Sequence, residues 1–225
     1  MNKIKYIAAV LMAIAGLGLQ QAKADVCSFN LTTGNAAISG FSGPYAHVVI
    51  NLTSSNTATV TFTSLTNSGN IYLMGDGSSV ALNVNAATFA ASGITGTNSG
   101  TGFTPGGWTA QFGSQNVDGW GHFNFTINSF DGFTHSSDNI TFTLTNTSGT
   151  WASCMDVLAL NDHGQLAASH IFVTLFPANG ANGAIATGFA AGSGPAVPAP
   201  DGGTTVMLLG AALGALGMAR RFLMS

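Results

Sequence analysis

The sequence predicts an all-β protein, an antiparallel β-sandwich of jelly-roll type, with a partly open barrel as the alternative closure. Three observations carry this reading. Apolar residues alternate with Thr, Asn or His at period two in several short runs. Asp-Gly and other polar turns separate those runs, and no stretch between residues 25 and 189 shows a helical period. Period-two alternation gives a strand one apolar and one polar face. Many short strands joined by turns are the pattern of a sandwich or barrel.

In chain order, Lys3 and Lys5 form a positive start, Ile7 to Leu19 an apolar run, and Ala22-Lys23-Ala24 a small-residue cleavage site. Residues 1–24 therefore read as a signal peptide cut before Asp25. Its apolar run of about 13 residues is too short for a permanent span, which takes roughly 17–25. Ala58, Val60 and Phe62 then alternate with the threonines of Thr57–Thr63. Phe123, Phe125 and Ile127 alternate with His122, Asn124, Thr126 and Asn128, and Ile140, Phe142 and Leu144 with Asn139 and three threonines. Each run predicts a half-buried strand. Ala46–Leu52, Ile71–Met74, Met155–Leu160 and His170–Phe176 predict strands with more continuous burial, and residues 184–189 a last edge strand. Asp76-Gly77, Asp118-Gly119 and Asp131-Gly132 predict turns. Residues 25–189 have the size and apolar content of one domain. In an exported chain the two cysteines, Cys27 and Cys154, predict a disulfide. Two buried free thiols are the alternative.

Charge is distributed unevenly. Lys3, Lys5, Lys23, Arg220 and Arg221 are the only basic side chains besides His, so the body between the two ends has none, and it has no Glu. Its charges are Asp25, Asp76, Asp118, Asp131, Asp138, Asp156 and Asp162, so an overall −3 conceals a body at −7. Nucleic acid and anionic lipid are excluded as partners of this surface, because both need cations against phosphate. A buried carboxylate here must be held by hydrogen bonds, water or metal.

Signals for chemistry are sparse. The chain has no Gly-x-Ser-x-Gly elbow, phosphate loop or His-Glu-x-x-His motif. His47, His122, His135, His163 and His170 are scattered, and Asp162-His163-Gly164 places its two polar groups side by side in a turn, a poor geometry for a shared substrate. The expectation is no enzyme, no cofactor and no metal ligand set. Asp118, Asp131 and Asp138 lie in Asn- and Gly-rich loops that could supply calcium with oxygen ligands. Trp108, Trp120 and Trp151 could stack on sugar if exposed. Hairpin turns and core packing are the plainer uses of these residues.

Residues 190–196 predict a Gly/Ala/Pro spacer. The stretch 197–225, VPAPDGGTTVMLLGAALGALGMARRFLMS, then sets Pro198, Pro200, Asp201, Gly202 and Gly203 ahead of an uncharged run, Thr204–Ala219. At about 16 residues this run approaches the roughly 17–25 of a membrane span. Arg220 and Arg221 follow it and mark the cytoplasmic side. Motif, apolar helix and Arg pair in this order resemble the PEP-CTERM sorting signal in its VPDGG/VPDSG form. The chain differs from that form in having Ala199 where Val would precede Pro-Asp-Gly-Gly; read from Val197-Pro198, it carries Ala199-Pro200 as an insertion. The resemblance implies processing by exosortase, a transient stay in the inner membrane, and delivery to the cell surface or the extracellular matrix. It further implies a structural or interaction role in extracellular polymer, with polysaccharide as a partner. A carbohydrate-binding or adhesin module, in one version calcium-dependent, is the alternative. The run VDGWGHFNFTINSFDGF, with DNITFTLTNTSGTW after it, resembles a β-rich ectodomain of other PEP-CTERM proteins and implies no activity.

Overall fold

Alternation of side chains becomes alternation of burial. In the segment Thr57–Ser64, Ala58, Val60 and Phe62 are inside, and in Asn139–Asn146, Ile140, Phe142 and Leu144 are inside. The structure is a computed structural model that describes residues 25–194 and the backbone of Val197–Pro198. Its strands are β1 (Asp25–Leu31), β2 (Thr33–Gly34), β3 (Ala46–Ser54), β4 (Thr57–Ser64), β5 (Thr66–Asn67), β6 (Asn70–Met74) and β7 (Val80–Leu82). They continue with β8 (Phe89–Thr97), β9 (Thr109–Val117), β10 (Gly121–Asn128), β11 (Asn139–Asn146), β12 (Ala167–Leu175), β13 (Ala186–Gly192) and β14 (Val197–Pro198). Among the described residues the only helices are short 3-10 turns, and none is long and apolar enough to cross a membrane. The signal peptide, residues 1–24, and the apolar run Thr204–Ala219 lie outside the described residues.

The named strands pair antiparallel in two sheets. One runs β14-β1-β3-β4-β11-β8 and the other β2-β13-β12-β7-β10-β9. In the second sheet β12 meets β7 through Ala167 and Ala168, then β6 through Ile171–Leu175. Strands β6 and β7 thus act as one strand, broken by a loop in which the Gly75 amide donates to the His170 carbonyl and the His170 amide to the Ser78 carbonyl. Asp76 stands at φ 61° in that loop, a left-handed conformation that Asp tolerates better than most residues.

The main core lies between the sheets. Phe62 and Phe142 of the first sheet meet Phe125 of the second, with ring centroids 6.5 Å (Phe62–Phe142) and 5.7 Å (Phe125–Phe142) apart. Val48, Ile50, Leu82, Ile127, Ile171 and Val173 fill the space around them. The outer side of the second sheet is covered as well. Ala81, Ala168 and Ala191 alternate with core residues Leu82, Ala167 and Ala190, and pack outside with Phe123, Val117 and the half-buried Trp120. A further cluster joins Ile71, Leu73 and Phe172 to Phe103 and Phe133 from the loops above. Burial on both faces explains why β6 and β12 read as near-continuous apolar runs.

Four expectations need correction. Met155–Leu160 is no strand; Cys154–Asp156 forms a 3-10 turn, capped by Ser153 and Asp156, and Leu158 makes one isolated bridge to Val84. Ala46–Leu52 is a strand with one buried face, since His47, Val49 and Asn51 point outward. Of the three Asp-Gly turns only Asp118-Gly119 closes a hairpin, between β9 and β10; the other two join strands that are not hairpin partners. Strand β13 continues to Gly192, into the stretch expected as spacer.

Cys27 and Cys154 form the expected disulfide, with Cα atoms 5.9 Å apart and a separation of 127 positions in sequence. Both are buried and part of the main core. Closing a loop of that length lowers the entropy of the unfolded chain by roughly 4–5 kcal/mol at 25 °C in the chain-entropy model. The Cys27→Ala/Cys154→Ala variant should therefore lose up to about 4–5 kcal/mol. Urea denaturation followed by Trp fluorescence measures the difference against the oxidised wild type.

Candidate sorting junction

Strand β1 brings the two ends of the domain together. Asp25, the first residue after the expected cleavage site, opens β1 opposite Leu52 of β3. Its Oδ2 accepts a hydrogen bond from the Cys154 amide at 2.8 Å. Ala22 and Ala24 lie outside the described residues. On the other edge of β1, Cys27 pairs with Pro198 and Ser28 with Val197 of β14. Asp25, Leu52, Thr53, Ser54, Ser55, Trp151 and Ala152 line an open cleft of about 400 Å³ at this end of the sandwich. Strand β13 ends beside the other half of β1: its last residue, Gly192, packs against Asn30 and Leu31 and pairs with Ala167 at the start of β12.

Beyond Pro198 the chain enters the motif read from the sequence. Residues 200–222 match the VPDSG-CTERM motif. This is the sorting signal, consistent with a PEP-CTERM-type sorting domain, and it covers Pro200, Asp201, Gly202, Gly203, Arg220 and Arg221. Those six residues lie outside the described part of the structure, and Pro198 precedes the match. A motif of this type implies an exported protein that passes through the membrane and is processed by exosortase. No curated protein and no solved structure matches the chain.

The carboxylates and imidazoles of the sandwich are spread over it. Asp118 accepts from the Asn35 side chain at 3.1 Å, and Asp156 from the amide and hydroxyl of Ser153, each at 2.9 Å. Asp138 accepts from the Ser99 amide at 2.7 Å and from its hydroxyl at 2.5 Å. Asp118 sits in the β9–β10 turn, and Asp131 and Asp138 sit seven positions apart in the β10–β11 connection. Among the described residues no three His, Cys, Asp or Glu side chains are placed to hold a metal ion. Trp151 is buried and donates from Nε1 to the Asn85 carbonyl at 2.8 Å; Trp120 is half-buried and donates to the Phe189 carbonyl at 3.2 Å. Trp108, also half-buried, packs on the main core. None of the three stands as an exposed platform.

One pairing was hidden from the sequence. Asp162 does not work with its neighbour His163 but receives His122, whose amide donates to Oδ1 at 2.8 Å and whose Nδ1 lies 2.7 Å from Oδ2. Gly121 makes room: at φ 78°, a Cβ there would fall within 2.2 Å of the Asp162 carboxylate. Hydrogen bonds from the His122 side chain and amide hold the Asp162 carboxyl below its ordinary value. Both side chains are about half exposed, so this is a surface pair, screened by solvent and salt.

Of the other imidazoles, His47 bonds Asn30 through Nδ1 at 2.6 Å, and His135 lies 3.1 Å from the Asp131 carbonyl. His170 is stacked on Phe189 with centroids 4.6 Å apart, and its Nε2 lies 2.7 Å from the Thr187 hydroxyl. Burial lowers the His170 pKa, and the Asp76 carboxylate opposes that shift in part.

Two titrations follow from these geometries. In His122→Ala the Asp162 carboxyl should rise toward the ordinary carboxylate range, as read by NMR of the side-chain carboxyl carbon. An unshifted carboxyl in that variant would contradict the pair. For His170 the folded value lies below the unfolded value of about 6.5. Its contribution to stability is therefore complete above that pH and declines as pH falls toward the folded value. Denaturation of wild type against His170→Gln across this window should show the variant losing less stability on acidification.

Proposed function

We propose that this chain is a structural or interaction protein of the cell surface and extracellular polymer, without enzymatic activity, delivered by a signal peptide and released by exosortase. The observation that carries the delivery is the VPDSG-CTERM motif at residues 200–222. Support for the signal peptide comes from Lys3 and Lys5, the apolar run from Ile7 to Leu19 and the small-residue site Ala22-Lys23-Ala24. The chain is read as entering the inner membrane transiently, arginines on the cytoplasmic side, with the sandwich outside. Its topology is read as jelly-roll-like, because the chain crosses between the sheets repeatedly, from β1 to β2, β2 to β3, β4 to β5, β7 to β8, β8 to β9, β10 to β11, β11 to β12 and β13 to β14.

The role in polymer rests on the outer face of the first sheet. Thr57, Thr59, Thr61 and Thr63 of β4 face Thr145, Thr143, Thr141 and Asn139 of β11. Asn51 of β3 and Thr95 and Thr97 of β8 extend these rows. Hydroxyl and amide groups predominate on this face, with His47 and Val49 among them and the Asp138 carboxylate beside Thr97 at its edge, a chemistry that suits a neutral polymer such as polysaccharide better than an anionic one.

The intact mass of the protein from its native host, with and without exosortase, tests the delivery. The body lacks Lys and Arg, so trypsin leaves it in one piece and the mass reads both ends. The expected product begins at Asp25 and ends between Pro198 and Gly203 only when exosortase is present. A mature surface form that keeps the apolar tail would overturn the proposal.

A further inference from the structure

We propose that the open flank of the sandwich, between β8 and β9, is the surface through which two copies of this chain pair about a two-fold axis. The pairing gives the structural role proposed above a partner, and it rests on the sandwich alone, not on the sorting signal. β8 ends the first sheet and β9 the second, on the same side of the molecule. The Phe89 and Phe112 rings are 5.4 Å apart there, and a Cβ on Gly96 would run into Trp108, just ahead of β9. The seam between the two strands is apolar. Phe89, Ala91 and Ile94 of β8, Trp108, and Ala110 of β9 pack against the main core yet stay partly exposed. Phe112 is 49% exposed, although its ring lies 5.4 Å from that of the fully buried Phe125. An aromatic chain thus runs from the middle of the core out to this flank.

The backbone of this flank is as open as its side chains. On the far side of the second sheet β13 is capped: the Asn35 amide donates to the Phe189 carbonyl at 2.8 Å, and the Phe189 amide to the Asn35 side chain at 3.1 Å. Gly188 lies so close beneath Ala37 and Ile38 that a Cβ there would stand 3.0 Å from each. Along Phe89–Ser92 and Thr109–Phe112 the ladders run only to β11 and β10, and no backbone group of another described residue takes up the free side. Exposed edges are normally guarded by Lys, Pro or an inward charge. β8 and β9, nine residues each, contain no charged residue and no proline. Gly93 and Gly113, at φ 62° and 93°, stand where each strand shifts register, but they leave Phe89–Ser92 and Thr109–Phe112 regular.

Charge selects a second copy as the occupant. The body has seven Asp and no Lys or Arg, so copies repel one another over much of their surface. The flank itself carries no carboxylate. The nearest ones, Asp138 beside Thr97 and Asp131 beside Gly107, stand at one end of it. An antiparallel contact between two Phe89–Ser92 edges points those ends away from each other. With about 3.3 Å per strand residue, the two Asp138 groups are then roughly 30–40 Å apart. That is well beyond the screening length of about 8 Å at physiological salt. The two-fold axis of such a pair runs perpendicular to the sheets, so β9 faces β9 and the apolar seams close on each other.

The test uses the full chain in its host. A photoreactive benzoylphenylalanine at position 112 should capture a second copy on illumination, and the same group at position 59, on the outer face of the first sheet, should not. Capture at 112 is expected in cells with and without exosortase, so a failure of the sorting reading leaves this result in place. With purified protein, Phe112→Asp sets two carboxylates against each other in the seam. It should raise the dissociation constant of the pair about 100-fold or more, read by sedimentation equilibrium, with the circular dichroism of the sandwich unchanged. Thr59→Asp should leave the constant within about twofold of wild type. A wild-type protein that stays monomeric up to its solubility limit would overturn the proposal. So would equal capture at 59 and 112, or equal weakening by the two Asp variants. Should Phe112→Asp fail to fold, the comparison of positions 112 and 59 by photo-capture still decides.

Discussion

Cys27 and Cys154 hold the first strand to a turn late in the chain, and much of the described molecule depends on that tie. Strand β1 supplies one partner of β3, the seat of β14, the bend that carries the chain into β2, and one wall of the cleft at the end of the sandwich. The Asp25 carboxylate on the Cys154 amide adds a second tie at the same place. A covalent link over 127 residues suits an exported chain, where the thiols meet an oxidising compartment.

A second constraint is the lack of Lys and Arg in the body. No carboxylate there can be neutralised by a permanent cation, so Asp118, Asp138 and Asp156 are held by amides and hydroxyls, and Asp162 by His122. Solubility then falls to Thr, Asn and Ser on the outer faces. The same residues suit strands, since β-branched Thr fits a pleated, half-buried surface. One choice of residue thus serves both the fold and the solvent.

Legibility followed the physics of each element. β4 and β11 have one face on the core and one in solvent, so their alternation was plain, and the threonine rows came with it. β8 and β9 were missed: Gly93, Gly96 and Gly113 interrupt their patterns, and as edge strands they bury little. Phe123 was read with Phe125 and Ile127, yet it packs in the outer cluster beside a shift of pairing register. Met155–Leu160 is apolar enough for a strand, but the disulfide and the Ser153–Asp156 cap hold its start as a turn. The pairing of His122 with Asp162, 40 residues apart, leaves no local signal, because it depends on where β10 ends up beside the loop before β12.

Residue order alone pointed to the all-β class, the cysteine pair and the sorting motif, since period-two alternation, an even thiol count and a short motif are local properties of a chain. Which strands lie side by side, that the outer face of the second sheet is covered, and that the segment before the sorting motif lies on the first strand of the domain are set by folding. These are contacts between distant residues, and their free energy depends on register and on what else competes for an edge.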